Sequence, residues 1–202
     1  MRKEILSHFK EVDPVLYEYV RSQSLSFEVT PKHPSTYFES LASSIVGQQL
    51  SGKAAYSIFK KVKNLFPRKK ITAKGLLKLK EKDLREAGLS HAKIAALYDL
   101  ARNVEKGALP LSSLKHLSEE ETHDHLIKVR GIGPWTIEMF TMFTLGHEDI
   151  FSCGDLGLKK GIKKLYSMRN LPSERRMEEI TKKWRPYRTY GSLVLWSVVD
   201  TK

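Results

Sequence analysis

The chain has a single cysteine, Cys153. One thiol cannot build a disulfide framework, a cysteine zinc site or a four-cysteine iron–sulfur cluster. Long apolar runs are missing too: no segment is long enough to span a bilayer. The opening residues, Met1 to Pro14, lack the apolar core of a signal peptide. Alternating strand patterns, long-period repeats and low-complexity linkers are also absent, which leaves a soluble, intracellular, helical protein as the expectation. Acid is scarce relative to base. Asp and Glu total 23 against 35 Lys and Arg, a formal net charge of +12. That excess favours a polyanionic partner, nucleic acid first, with a basic solvated surface as the plainer reading. What is present is globular: 202 residues, 41% hydrophobic, enough for one or two domains that hide roughly 70% of the unfolded surface.

Helical spacing runs through almost the whole chain. Asp13 before Pro14 reads as an N-cap and first turn of a helix reaching Val20. Residues 24–34, with Pro31 and Pro34, read as extended or looped. Phe38, Leu41, Ala42 and Ile45 share a helical face, interrupted at Gly47. Ser51 caps a helix whose apolar face is Ala54, Ala55, Ile58, Phe59 and Val62. Two short pieces follow, around Ala73–Leu79 and Lys82–Ala87, with Gly88 as a stop. Ser90 caps a helix ending at Gly107, and Ser118 with Glu121 has capping-box spacing. Pro134 begins a helix running to Leu145 and ended by Gly146. Further helices fit Asp155–Tyr166, Ser173–Trp184 and Pro186–Val199. The expected fold is all-α, with about ten short helices.

Glu120–Thr144 reads as helix, glycine turn, helix. Gly131 and Gly133 permit a close backbone approach. Pro134 starts a helix whose free N–H groups and dipole favour an anion such as a DNA phosphate, independent of base sequence. An ordinary turn between packed helices has the same local pattern.

Five segments add to that pattern: Ser44-Ile45-Val46-Gly47-Gln48-Gln49-Leu50-Ser51, Gly88-Leu89-Ser90-His91-Ala92-Lys93-Ile94, Val129-Arg130-Gly131-Ile132-Gly133-Pro134-Trp135-Thr136, Gly154-Asp155-Leu156-Gly157-Leu158, and Trp184-Arg185-Pro186-Tyr187-Arg188 continuing to Leu195-Trp196. In this order they resemble the helix-hairpin-helix DNA glycosylase superfamily, and within it the 3-methyladenine DNA glycosylase II family. With only about 35 residues before the first core segment and no strands, the resemblance is to a compact, all-helical member. It implies a two-lobed fold with the active site in the interlobe cleft. The central lobe is expected over 36–112, and the second over 1–35 plus 113–202.

Asp155 lies 20 residues after Trp135. By itself it reads as an N-cap; the resemblance makes it the catalytic carboxylate. A fixed carboxylate stabilises the positive charge that develops on the sugar as a base–sugar bond breaks, and orients or deprotonates water. No second carboxylate stands out: Glu138 reads as a surface residue. Two departures from the family pattern are Arg130, where proline often precedes the hairpin glycine, and Ser152, where proline often stands three residues before the aspartate. Arg130 is expected to add a phosphate contact.

Trp135 occupies the position where lyases of the superfamily carry a lysine amine, which implies a monofunctional enzyme using water. Trp135 and Trp196 read as core or half-core residues on their own. The resemblance makes them walls of a damaged-base pocket, where ring faces attract a cationic purine by about 0.5–2 kcal/mol. Met139 adds a polarizable wall; Tyr37 and Phe38 either close the pocket or belong to the core. Gln48, Gln49, Leu50 and Ser51 form either an interhelical turn or a minor-groove wedge facing the extruded nucleotide. Gly88 and Ser90 are a second candidate phosphate anchor beside Arg130, Gly131, Gly133 and Thr136. By family position, the backbone carbonyls of Ile127, Val129 and Ile132 hold a monovalent cation, Na⁺ or K⁺; no other cofactor and no iron–sulfur cluster is expected.

The activity so implied is hydrolysis of the N-glycosidic bond of alkylated purines, 3-methyladenine and 7-methylguanine, in duplex DNA. The expected protein is a monomer, without membrane attachment, in the cytoplasm with the nucleoid if bacterial or the nucleus if eukaryotic. Two alternatives stand beside it: the same fold acting on deaminated or oxidised bases, and a non-catalytic binder of distorted DNA.

Overall fold

The computed structural model describes residues 1–200, and the last two residues of the expected second lobe, 201 and 202, lie outside them. Among the described residues there is no strand. The helices are α1 (Lys3–Val12), α2 (Pro14–Ser22), α3 (Tyr37–Gly47), α4 (Gly52–Asn64), α5 (Ala73–Leu76), α6 (Glu81–Glu86), α7 (His91–Glu105), α8 (Glu119–Leu126), α9 (Pro134–Phe140), α10 (Leu156–Leu165), α11 (Glu174–Thr181) and α12 (Arg188–Asp200), joined by short 3₁₀ turns. The all-helical expectation holds. The expected caps are in place: Asp13, Ser51, Ser90 and Ser118 each accept a backbone N–H of the first turn. Glu121 completes a capping box with Ser118.

Three local expectations differ. Helix α1 was not anticipated; Ile5 and Phe9, four apart, are its buried pair, set among charged neighbours. The helix from Pro134 stops as an α-helix at Phe140 and continues as a π-helical turn, Thr141–Leu145. On α4 only Val62 is fully buried, so that helix lies at the surface with its apolar face half-covered.

The chain forms two compact units, Met1–Pro31 with Thr141–Lys202, and Lys32–Phe140. The boundary differs from the expected one because residues 113–140 pack with the central unit. Gln48 Nε2 donates to the Gly131 carbonyl at 2.8 Å, and the Arg130 N–H donates to Asp99 Oδ2 at 2.9 Å. In addition α9 packs on α3, and Leu114 is buried.

In the discontinuous unit the core is built around Trp184. Phe9 and Phe151 meet its ring edge-on at 6.4 and 5.9 Å. Ile5, Leu16, Leu158, Ile162, Val194 and Leu195 complete the packing. Asp13 is buried beneath it and accepts from Trp184 Nε1 (2.8 Å), Tyr166 Oη (2.5 Å) and the Leu16 N–H. Burial pushes its carboxyl up, but these donors together with Lys183 outweigh that and hold it below the usual aspartate value. Burial and the Asp13 charge push the Tyr166 phenol up. In the continuous unit α3 is central, its Leu41, Ala42, Ile45 and Val46 packing against α4, α7 and α9.

Candidate active site and nucleic-acid interface

In the discontinuous unit, Asp155 is the N-cap of α10. Its Oδ1 accepts the Leu158 N–H at 2.8 Å and the indole Nε1–H of Trp196 at 3.0 Å. The cap and the catalytic reading of Asp155 are therefore compatible: one oxygen serves both a helix N–H and an aromatic donor. The pair exists because α10 and α12 pack closely at glycines. A Cβ on Gly161 would lie 2.5 Å from the Leu195 carbonyl oxygen. One turn earlier, a Cβ on Gly157 would lie 3.0 Å from Asp155 Oδ1 and from Trp196 Nε1. Trp196 is thus tied by its edge to Asp155. Phe143, 43% exposed on the π-helical turn, lies 5.8 Å from the Trp196 ring. Sequence reading did not single it out, because helical spacing made it one more residue of a continuous helix; π-turns are frequent at functional sites.

In the continuous unit, the hairpin joins α8 to α9. Gly131 has φ +76° and lies so close to α7 that a Cβ would come within 2.9 Å of Ala96 Cβ. Both demands, a left-handed backbone and no side chain, require glycine here. Gln48 ties the turn after α3 to this hairpin, donating to the Gly131 carbonyl and to Thr136 Oγ1 at 3.1 Å. Lys93 was not anticipated: from the first turn of α7 its ammonium donates to the carbonyls of Val46 and Gln48 at 2.7 and 2.8 Å. It caps the end of α3, and burial pushes its pKa down. Gln49 is in the left-handed region at φ +57°, and Leu50 beside it is 38% exposed. Ser51 accepts the Ala54 N–H. Gly88 has φ +104°, and Ser90 caps α7. Gly133 precedes α9, Trp135 is 43% exposed in its first turn, and Met139 is partly buried. Tyr37 and Phe38 are core residues of this unit, Tyr37 meeting Phe140 edge-on at 5.7 Å.

The structure thus brings Gln48, Gly131 and Thr136 together in one unit, and Asp155 with Trp196 in the other. The Val129 carbonyl accepts the Ile132 N–H at 3.1 Å, keeping a second lone pair. Carbonyl oxygens such as those of Ile127, Val129 and Ile132 are the ligand type that a hard cation takes.

The model of the HhH-GPD superfamily base excision DNA repair proteins matches residues 42–186, and the chain belongs to that family. It is 33% identical over 162 residues to YfjP of Bacillus subtilis, covering 77% of this chain and 56% of that protein. The chain therefore spans little more than half the length of that relative. Among solved structures it resembles the Schizosaccharomyces pombe 3-methyladenine DNA glycosylase Mag1 in complex with abasic DNA, at 25% identity and TM-score 0.85, covering 96% of each chain. It also resembles a Bacillus halodurans DNA-3-methyladenine glycosidase, at 33% identity and TM-score 0.85, covering 99% of this chain and 90% of that one.

Proposed function

We propose that the chain is a monofunctional DNA glycosylase that hydrolyses the N-glycosidic bond of alkylated purines, 3-methyladenine and 7-methylguanine, in duplex DNA. The observation that carries this is the Asp155 carboxylate, fixed by the Leu158 N–H and the Trp196 indole in a chain of the base-excision family. The base leaves with the bonding electrons, so a cationic alkylated purine departs neutral. Positive charge builds on the sugar, and Asp155 stabilises it where it forms. Water attacks the anomeric carbon, and its proton passes to Asp155. The sugar is left abasic.

The hairpin anchors backbone phosphates through the N–H groups of Gly131, Gly133 and Thr136 and through the Arg130 side chain, whose own N–H is taken by Asp99. Gln48, Gln49, Leu50 and Ser51 fill the gap left by the extruded nucleotide, and Gly88 with Ser90 adds a second anchor. In the discontinuous unit Trp196 and Phe143 are the candidate base contacts; in the continuous unit they are Trp135 and Met139, with Tyr37 and Phe38 held in that unit's core. The carbonyls of Ile127, Val129 and Ile132 would hold a Na⁺ or K⁺, which would supply positive charge at the hairpin; no other cofactor is called for. With tryptophan at position 135 there is no amine there for a Schiff base. The protein acts as a monomer inside the cell, and no helix of the described residues is long and apolar enough to cross a membrane.

Incubating pure protein with alkylated DNA and identifying released bases by chromatography tests this. We expect methylpurines to be released, uracil and 8-oxoguanine to remain in place, and no borohydride-trapped adduct to form with abasic DNA. Release of uracil or 8-oxoguanine without methylpurines refutes the substrate class, and a trapped adduct refutes the monofunctional assignment.

A further inference from the structure

Between Ser40 and Lys80 the chain has ten Lys and Arg and no Asp or Glu. Only Lys63 among these ten has an ion pair among the described residues, with Glu39. The distribution is ordered. On α4, which begins just after Leu50, the exposed residues Lys53, Tyr56, Ser57, Lys60, Lys61 and Asn64 follow helical spacing along one face. Each is a phosphate-contacting residue type. From Lys53 to Asn64 this face runs about 17 Å at 1.5 Å per residue. Past its far end, Arg68, Lys70, Lys74 and Lys78 rim a surface groove of about 460 Å³ whose floor includes Leu65, Phe66 and Leu79.

We propose that the α4 face and this groove rim form a phosphate-contacting track that holds the DNA flank on one side of the lesion. This deepens the glycosylase reading and rests on its wedge, Gln49 and Leu50, at the near end of the track. Three features favour duplex DNA over a short acidic peptide. The charges extend well beyond the groove, they begin beside the wedge, and their side chains suit repeated phosphates rather than one pocketed residue. A length of about 17 Å matches about five base pairs at 3.4 Å each, so the contact is asymmetric about the lesion.

The test uses the full chain and duplexes bearing a non-cleavable abasic analogue, so it does not depend on base release. Wild-type protein is compared with the combined variant Lys60→Gln, Arg68→Gln, Lys70→Gln, Lys74→Gln. A second variant carrying Lys60→Arg, Lys70→Arg and Lys74→Arg keeps the charge, and thermal unfolding checks that both fold. For the neutralised variant the log–log salt slope should be shallower by about 3.6, at 0.9 per lost phosphate contact. The arginine variant should keep the wild-type slope. Trimming the duplex to a few base pairs on one side should weaken wild-type binding, trimming the other side should not, and the neutralised variant should be indifferent to both. Equal slopes and affinities for wild-type and neutralised protein overturn the proposal. So does a wild-type protein that binds an acidic, leucine-rich peptide that the neutralised variant does not bind, while both bind DNA alike; that result assigns the surface to a protein partner. Absence of methylpurine release by wild-type protein counts against the glycosylase reading alone.

Discussion

Gly157→Ala opposes two effects of known size at the candidate carboxylate. Gly157 is the second residue of α10. Helix propensity alone predicts that alanine there stabilises the protein by roughly 0.5–1 kcal/mol. The packing predicts otherwise. The new Cβ would sit 3.0 Å from Asp155 Oδ1, Trp196 Cδ1 and Trp196 Nε1, whereas ordinary carbon contacts lie at about 3.5–4.0 Å. The indole and the carboxylate must therefore yield to the new Cβ by a few tenths of an ångström, and overpacking of this kind costs about 1–3 kcal/mol. The net change in stability then lies between about zero and a loss of about 2.5 kcal/mol. Catalysis is more sensitive. If a 1 Å misplacement costs about 10²-fold, a few tenths of an ångström cost several-fold. The assay is single-turnover release of 7-methylguanine, read beside the melting temperature. Gly161→Ala is the control. Its Cβ meets the Leu195 backbone, which cannot yield like a side chain, so it should lower the melting temperature more than Gly157→Ala does. A Gly157→Ala protein that excises at the wild-type rate refutes the claim that the Asp155–Trp196 geometry sets the rate.

Trp196→Phe keeps a ring face but removes the donor to Asp155 Oδ1. Hydrogen bonds to charged groups contribute about 1.5–3 kcal/mol, so excision should slow by roughly 10- to 100-fold; an unchanged rate would make the indole a wall and nothing more. Asp13 gives a pH prediction. Its folded pKa lies below the ordinary 3.8, so its stabilisation is present above that value and lost as pH falls through the lower folded one. Melting temperature followed against pH should drop on that acid limb, and Asp13→Asn should flatten the drop while lowering stability at neutral pH. A variant whose acid limb matches wild type would remove Asp13 from the account of acid unfolding.

Much of the helix register was legible because it is local. Asp13, Ser51, Ser90 and Ser118 cap the helices their spacing suggested, since a cap needs only a side chain and an N–H three residues on. The glycines behaved likewise: Gly88, Gly107, Gly131 and Gly146 all have positive φ. Helix α1 was missed because two buried residues among eight other positions make a faint stripe. The unit boundary was missed for a different reason. What holds residues 113–140 to the central unit is Gln48 reaching across 83 residues of sequence to the Gly131 carbonyl, and no periodicity records such a bond. The same holds at the candidate site. Gly-Asp-Leu-Gly-Leu pointed to Asp155, but the Trp196 donor comes from 41 residues away, and the role of Gly157 appears only once α10 and α12 are packed together. Lys93 and Phe143 carried no local signal for their contacts.

The central claim, that the charge on Asp155 drives base release, is tested most directly by Asp155→Asn. Asparagine caps helices about as well as aspartate and can still accept from the Leu158 N–H and the Trp196 indole, so the fold and the site geometry persist while the negative charge is removed. Release of 3-methyladenine and 7-methylguanine from alkylated DNA should fall by orders of magnitude. The melting temperature and the affinity for duplex bearing an abasic analogue should stay close to wild type. A variant that releases methylpurines at the wild-type rate would reduce Asp155 to a helix cap and contradict the mechanism.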